Sequence, residues 1–285
     1  MTGQTARQDL LAAAQRAGAP ASAHLQVTAR CHCTCVHCYQ VRSAEGELTF
    51  AEIVRVLAEL ADAGCLFLGI TGGEPFVRDD ADAASDLARL ARDLGCGHSA
   101  DPQITCRDDG DLAPTRLRLD DPALRAFYGS DDAGVWSVVR RQHVGRTAPL
   151  DENPCRAGTD MVAIGPRGEV HPCGGWPLPC GDLRRQSFAE IWRGSPELAR
   201  VRALTWQKIE PCNRCALRSS CRRCHGLAAL EDGDPCGPSR EACRHAVIVR
   251  DLLRERGLLP AHETDLPPTL DGEHPSRDRA AKAAS

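Results

Sequence analysis

The run Cys31-His32-Cys33-Thr34-Cys35-Val36-His37-Cys38-Tyr39, followed downstream by Thr71-Gly72-Gly73-Glu74-Pro75, decides how this chain is read. Within the run, Cys31, Cys35 and Cys38 form the spacing C-x3-C-x2-C. Three thiolates so close together can hold only one compact soft-metal centre. On a cubic iron–sulfur cluster, three protein ligands leave the fourth iron open. An open iron can bind a substrate, whereas a cluster with four Cys ligands moves electrons. A zinc knuckle that borrows His32 or His37 is the competing reading of the same loop. Cys33 falls outside the spacing and is a spare thiol.

The residues around the run predict a parallel α/β unit. Leu25-Gln26-Val27-Thr28-Ala29 alternates apolar and polar, a short strand that delivers the Cys loop. Thr49 and Glu52 make a capping box, and Ile53, Val56, Leu57 and Leu60 then recur at helical spacing until Gly64 stops the helix. The continuous apolar run from Cys65 to Ile70 predicts a strand buried on both faces, which feeds Gly72 and Gly73. Leu87, Leu90, Ala91 and Leu94 share one face of a second helix ended by Gly95. Residues 24–95 therefore read β-loop-α-β-loop-α, with right-handed crossovers. Two glycines after a buried strand let backbone groups approach a ligand closely, and the Glu74 carboxylate is suited to an ammonium. A plain strand-to-helix turn is the bland alternative.

Bulk properties narrow the function classes. The chain has 285 residues, a net charge of −4 and 16 Cys. That balance provides no global basic face for nucleic acid. No apolar stretch approaches the roughly 20 residues of a membrane span. Residues 1–23 lack the basic and apolar segments of a secretory signal, so they read as a lead-in rather than an export sequence. In a reducing cytosol, clustered Cys more often bind metal than form disulfides.

A second set of Cys lies toward the C-terminus: Cys155, then Gly168 and Cys173, then Cys212-x2-Cys215-x5-Cys221-x2-Cys224, and finally Cys243. Paired C-x2-C motifs on loops are strong metal signals. Structural zinc and iron–sulfur clusters both fit this spacing. Cys180 and Cys236 are either further ligands or idle thiols, while Cys65, Cys96 and Cys106 read as structural thiols. Met161–Ile164, a turn at Gly165-Pro166-Arg167-Gly168 and Glu169–His171 predict a β-hairpin. Helices are expected from Asp121, around Phe188–Trp192 and over 246–259. Residues 260–285 have the composition of a disordered tail.

Together, the Cys31/Cys35/Cys38 loop with Tyr39, the Thr71–Pro75 segment and the Cys155…Cys173…Cys212-x2-Cys215-x5-Cys221…Cys243 frame resemble the radical S-adenosylmethionine (SAM) enzymes with a C-terminal SPASM domain. These mature ribosomally made peptides. The resemblance spans roughly residues 24–255. It implies an incomplete radical SAM (β/α) partial barrel over 24–150, followed by a small Cys-rich SPASM domain over 151–259. It implies that Cys31, Cys35 and Cys38 hold a [4Fe-4S] cluster whose open iron binds SAM. Gly72, Gly73, Glu74, Pro75 and Tyr39 would line the SAM site. Cys155, Cys173 and Cys224 look like ligands of a first auxiliary [4Fe-4S] cluster, with Cys180 the nearest candidate for a fourth. Cys212, Cys215, Cys221 and Cys243 look like ligands of a second.

The expected activity is reductive SAM cleavage to a 5′-deoxyadenosyl radical that modifies a peptide or small protein. It needs an external electron donor and involves neither nucleic acid nor membrane, in the cytoplasm. A non-catalytic iron–sulfur relative and a zinc-binding module are the alternatives. Two departures from the family pattern stand out. Only Arg222 and Arg223 separate Cys221 from Cys224, where the family has three residues. And only residues 39–154 lie between the first Cys loop and Cys155, about 80–90 residues, or three βα units, short of a six-unit barrel. Such a gap strips neighbours from the strand at Leu66–Ile70 and exposes an edge.

Overall fold

The computed structural model describes residues 9–11, 13–14, 16–31, 35, 38–40, 45–73, 103–129, 135–144 and 148–259. Glu74, Pro75, Cys33, Cys96, the helix expected over 87–94 and the tail 260–285 lie outside the described residues. The chain divides into two compact units. The first combines residues 1–98, 105–116 and 155–203; the second combines 99–104, 117–154 and 204–285.

The first unit is a mixed α/β layer. Its sheet runs β2-β1-β3-β4-β5. Strand β1 (Ser22–Gln26) pairs in parallel with β2 (Phe67–Thr71) on one side and with β3 (Met161–Ile164) on the other. Strands β4 (Glu169–His171) and β5 (Gly181–Asp182) continue it in antiparallel fashion. The hairpin expected at 161–171 therefore extends the same sheet as the N-terminal strands. Helix α1 (Phe50–Asp62) makes the crossover from β1 to β2, started by the Thr49/Glu52 capping box. Its Ile53, Val56 and Leu60 pack on Ala23, Leu25 and Val27, with Phe188, Ile191 and Trp192 of α4 (Phe188–Gly194) and Leu198 of α5 (Pro196–Arg202) in the same core. One face of the sheet is thus covered by helices.

Strand β2 departs from the reading of a strand buried on both faces. Leu66 is 49% and Leu68 40% exposed, and among the described residues β2 is the last strand of the sheet.

The second unit is helical. Helices α2 (Asp121–Gly129) and α3 (Val135–His143) pack against α7 (Arg240–Glu255) through Leu124, Tyr128, Val139, Val249, Leu252 and Leu253. A smaller cluster joins Ala148, Trp206, Ile209 and Cys212. The short helix α6 (His225–Glu231) follows the Cys-rich turns. Among the described residues no helix is long and apolar enough to cross a membrane.

Candidate functional site

Strands β1 and β2 run in parallel and in register from Ser22↔Phe67 to Gln26↔Thr71, so both end at the same edge of the sheet. The Cys loop leaves β1 there, and Gly72-Gly73 leaves β2. Ligands of open α/β sheets gather at carboxyl ends of this kind. The two exits are bonded to each other. The Val27 amide donates to the Thr71 carbonyl oxygen at 3.0 Å, and the Gly73 amide to the Thr28 carbonyl oxygen at 2.8 Å.

The glycines are dictated first by this backbone contact. An ideal Cβ on Gly72 would lie 2.4 Å from the Thr28 carbonyl oxygen, and one on Gly73 would lie 2.1 Å from that of Arg30. Gly72 also has φ +135°, a conformation open to glycine. Their bare backbone therefore seats the segment that enters the Cys loop.

That segment is braced by a residue the sequence patterns did not single out. The Glu47 carboxylate accepts from the Thr28 hydroxyl at 2.6 Å and from the Ala29 amide at 2.9 Å, and it pairs with the Arg30 guanidinium at 3.3 Å. The Arg30 amide donates to the Thr28 hydroxyl oxygen at 3.0 Å. Beyond Arg30, Cys31 and Cys38 are half-buried and Cys35 is exposed. The Cys38 amide donates to the Cys35 carbonyl oxygen at 3.1 Å, so one turn draws these two together. Tyr39 closes the loop. Burial pushes its phenol up, opposed by a side-chain hydrogen bond with Thr71 at the end of β2. Its carbonyl oxygen accepts from the Asp108 amide at 2.9 Å.

Cys155 and Cys173 also belong to the first unit. Their segments meet where the Gly158 amide donates to the Pro172 carbonyl oxygen at 2.9 Å. Cys180 stands elsewhere. It is 5% exposed in the core with Ile191 and Leu198, and burial pushes its thiol up to about 12. Its neighbours are apolar side chains of the core. Cys106, 1% exposed, is a buried thiol of the kind expected for it.

In the second unit, Cys212, Cys215, Cys221 and Cys243 line one small cavity of about 20 Å³. Cys212, Cys215 and Cys221 come from the tight turns at 212–221, and Cys243 from the first turns of α7. Trp206, Leu217, Ala242 and Ala246 supply apolar walls, and no carboxylate or imidazole joins the lining. Burial pushes all four thiols up, Cys243 to about 12. Without metal they are neutral, and metal binding must displace their protons.

A purely sulfur donor set suits zinc or an iron–sulfur cluster. The cavity has room for about one water. A metal core therefore enters only as the thiols move apart. Among the described residues, no group of three or more His, Cys, Asp or Glu is placed to hold a metal ion as it stands. Cys224 lies outside this lining; its sulfur accepts the Leu227 amide at 3.5 Å at the start of α6. Cys236 sits in a turn where its amide donates to the Asp234 carboxylate at 2.8 Å.

Residues 155–216 match the SPASM family, an iron–sulfur cluster-binding domain. An AdoMet-dependent heme synthase of Nitratidesulfovibrio vulgaris is 34% identical over 80 residues, covering 28% of this chain and 22% of that protein. A PqqA peptide cyclase of Xanthomonas euvesicatoria pv. vesicatoria is 31% identical over 140 residues, covering 46% of this chain and 36% of that protein. A solved structure, SeMet BtrN in an open conformation, aligns with 68% of this chain and 91% of its own at a TM-score of 0.36 and 17% identity, too loose a match to bear on the site. The chain thus spans between 22% and 36% of the length of these curated relatives. The SPASM match at residues 155–216 and these partial relatives support a likeness to the radical SAM proteins that carry a SPASM domain.

Proposed function

We propose that this protein cleaves SAM reductively and uses the product to modify a peptide. Cys31, Cys35 and Cys38 hold the first [4Fe-4S] cluster in this reading, and Gly72, Gly73, Glu74, Pro75 and Tyr39 form the SAM side of the site. When bound, the reduced cluster and SAM together supply a 5′-deoxyadenosyl radical, chemistry that belongs to the cofactors. The protein's own share is placement. Thr28–Arg30 and Gly72–Gly73 lock the two strand exits together, Glu47 fixes the approach to Cys31, and Tyr39 ties the far side of the loop to Thr71.

Cys212, Cys215, Cys221 and Cys243 hold one auxiliary cluster; Cys155 and Cys173 of the first unit and Cys224 of the second are the remaining ligand candidates. Their role is to pass electrons to or from the substrate. An external donor reduces the first cluster, and the setting is cytoplasmic. The peptide substrate rests on the likeness to PqqA peptide cyclases.

The observation that carries this reading is the backbone bond between Gly73 and Thr28, which sets the Cys loop and the glycine pair side by side. The test is anaerobic reconstitution of the full chain with iron and sulfide, followed by SAM and dithionite. The wild type is expected to form 5′-deoxyadenosine, and the C35A variant to form none. Wild-type protein that binds iron yet leaves SAM intact favours a second reading, a non-catalytic iron–sulfur relative. One observation speaks for that alternative: among the described residues only β1, β2 and β3 run in parallel, and β3 comes from the segment after residue 151.

A further inference from the structure

Arg223 is a buried cation with no buried anion beside it. It is 3% exposed. Its terminal nitrogens donate to the Cys224 carbonyl oxygen at 2.6 Å, to the Pro235 carbonyl oxygen at 2.8 Å and to the Gly237 carbonyl oxygen. Among the described residues it pairs with no carboxylate. Among the described residues its Nε–H has no oxygen or nitrogen acceptor, and the guanidinium makes a side-chain hydrogen bond with the Cys212 sulfur. The guanidinium also lines the cavity of the four thiols, and its charge acts on Cys212, Cys221 and Cys243.

Holding the turn at 235–237 does not account for this side chain. Three carbonyl acceptors ask for donors, not for a full charge, and a neutral amide would supply donors at a much smaller burial cost. Arginine is charged under all protein conditions. An uncompensated charge in such a place is strongly unfavourable unless an anion arrives. Four thiols that lose their protons to a metal core provide that anion. A cube with four thiolates is a dianion when oxidised and gains one more negative charge on taking an electron. A fixed neighbouring cation stabilises the second form more than the first, and local charge is one of the levers on cluster potential.

We infer that Arg223 is the built-in countercharge of the Cys212/Cys215/Cys221/Cys243 centre and raises its reduction potential. This rests on the reading of those four Cys as cluster ligands. Nothing in the Cys spacing points to it, since Arg223 occupies one of the two positions between Cys221 and Cys224 that depart from the family pattern.

The test uses the full chain, reconstituted anaerobically, as wild type, R223K and R223Q. Iron and sulfide are counted per chain, and the paramagnetic signal that C243A removes is titrated with dithionite. R223Q is expected to keep its iron and to show a reduced-to-oxidised ratio about tenfold lower at a fixed potential, a 59 mV fall for a one-electron couple. R223K, which keeps the charge, is expected to titrate close to wild type. An R223Q titration that overlays wild type overturns the inference, as does an equal fall in R223K and R223Q.

Should R223Q fail to take up iron, R223K decides. Loading restored by lysine supports the countercharge, and equal failure of both variants shows that only the fork geometry matters and overturns it. A wild-type chain with no Cys243-dependent signal overturns the cluster reading itself. That outcome is distinguishable because it appears before any change at Arg223.

Discussion

The Gly73 amide donates to the Thr28 carbonyl oxygen at 2.8 Å, and a Cβ on Gly73 would stand 2.1 Å from the Arg30 carbonyl oxygen. The obstacle is backbone on both sides, so no side chain can swing away. G73A must push the β2 exit off the segment that leads to Cys31. Its cost is expected to be about 3 kcal/mol, the upper range of overpacking. Iron bound at Cys31, Cys35 and Cys38 should fall with it. G194A is the control, because nothing lies within 4 Å of its Cβ. Denaturation followed in parallel for the two variants separates them; equal stability would show that the close approach is relaxed in solution.

Glu47 acts on the same segment from the other side. Its carboxylate takes the Thr28 hydroxyl at 2.6 Å and the Ala29 amide at 2.9 Å. E47A leaves both donors buried without their acceptor, which costs on the order of 1–3 kcal/mol. E47Q keeps one acceptor oxygen but loses the pairing with Arg30 at 3.3 Å. The expected order of stability and of 5′-deoxyadenosine yield is wild type, then E47Q, then E47A. A chain in which E47A matches wild type in both measurements would remove Glu47 as a positioning residue.

Parts of this arrangement were legible in the sequence and parts were not. The alternation around Leu25 announced β1, but the ladder covers Ser22–Gln26, and Val27 and Thr28 continue it only through single backbone bonds to Thr71 and Gly73. The capping box at Thr49 and Glu52 placed α1 closely, since both of its hydrogen bonds are local. Helix α5 went unread although Ser195 caps it and Pro196 opens it. The run at Leu66–Ile70 looks buried by composition, yet whether a strand is central or at an edge depends on which other segments pair with it. Glu47 and Arg223 share that difficulty. The first bonds across 18 and 19 positions and the second across 12 and 14, and no short motif marks either.

The four-thiol cavity predicts coupling between metal and stability. Burial keeps Cys212, Cys215, Cys221 and Cys243 neutral without metal. A ligand that binds only the folded state stabilises it by RT ln(1 + [L]/Kd). Iron-loaded protein should therefore resist proteolysis of residues 204–259 more than chelator-treated protein does. C221A should abolish the difference while C180A, a core position, should preserve it. A chelator effect that survives in C221A would place the stabilising metal elsewhere.

The second unit carries its own pH signature in Glu241, which is 6% exposed. Burial alone would raise its carboxyl. Hydrogen bonds from His245 and Arg244, at 2.9 and 2.8 Å, and the Arg118 charge at 3.6 Å outweigh burial and hold it at about 2, against an ordinary 4.5. A carboxyl depressed in the folded state stabilises the fold fully above its unfolded value. That contribution, about 3 kcal/mol, is lost as the pH falls from 4.5 toward about 2. E241Q removes the charge at every pH and leaves Arg118 and Arg244 facing a neutral amide, so it should cost about 3 kcal/mol at neutral pH. Its stability should then vary less than that of wild type below pH 4.5. Urea titrations of both proteins at several acid pH values measure the two slopes, and parallel slopes would show that Glu241 titrates normally.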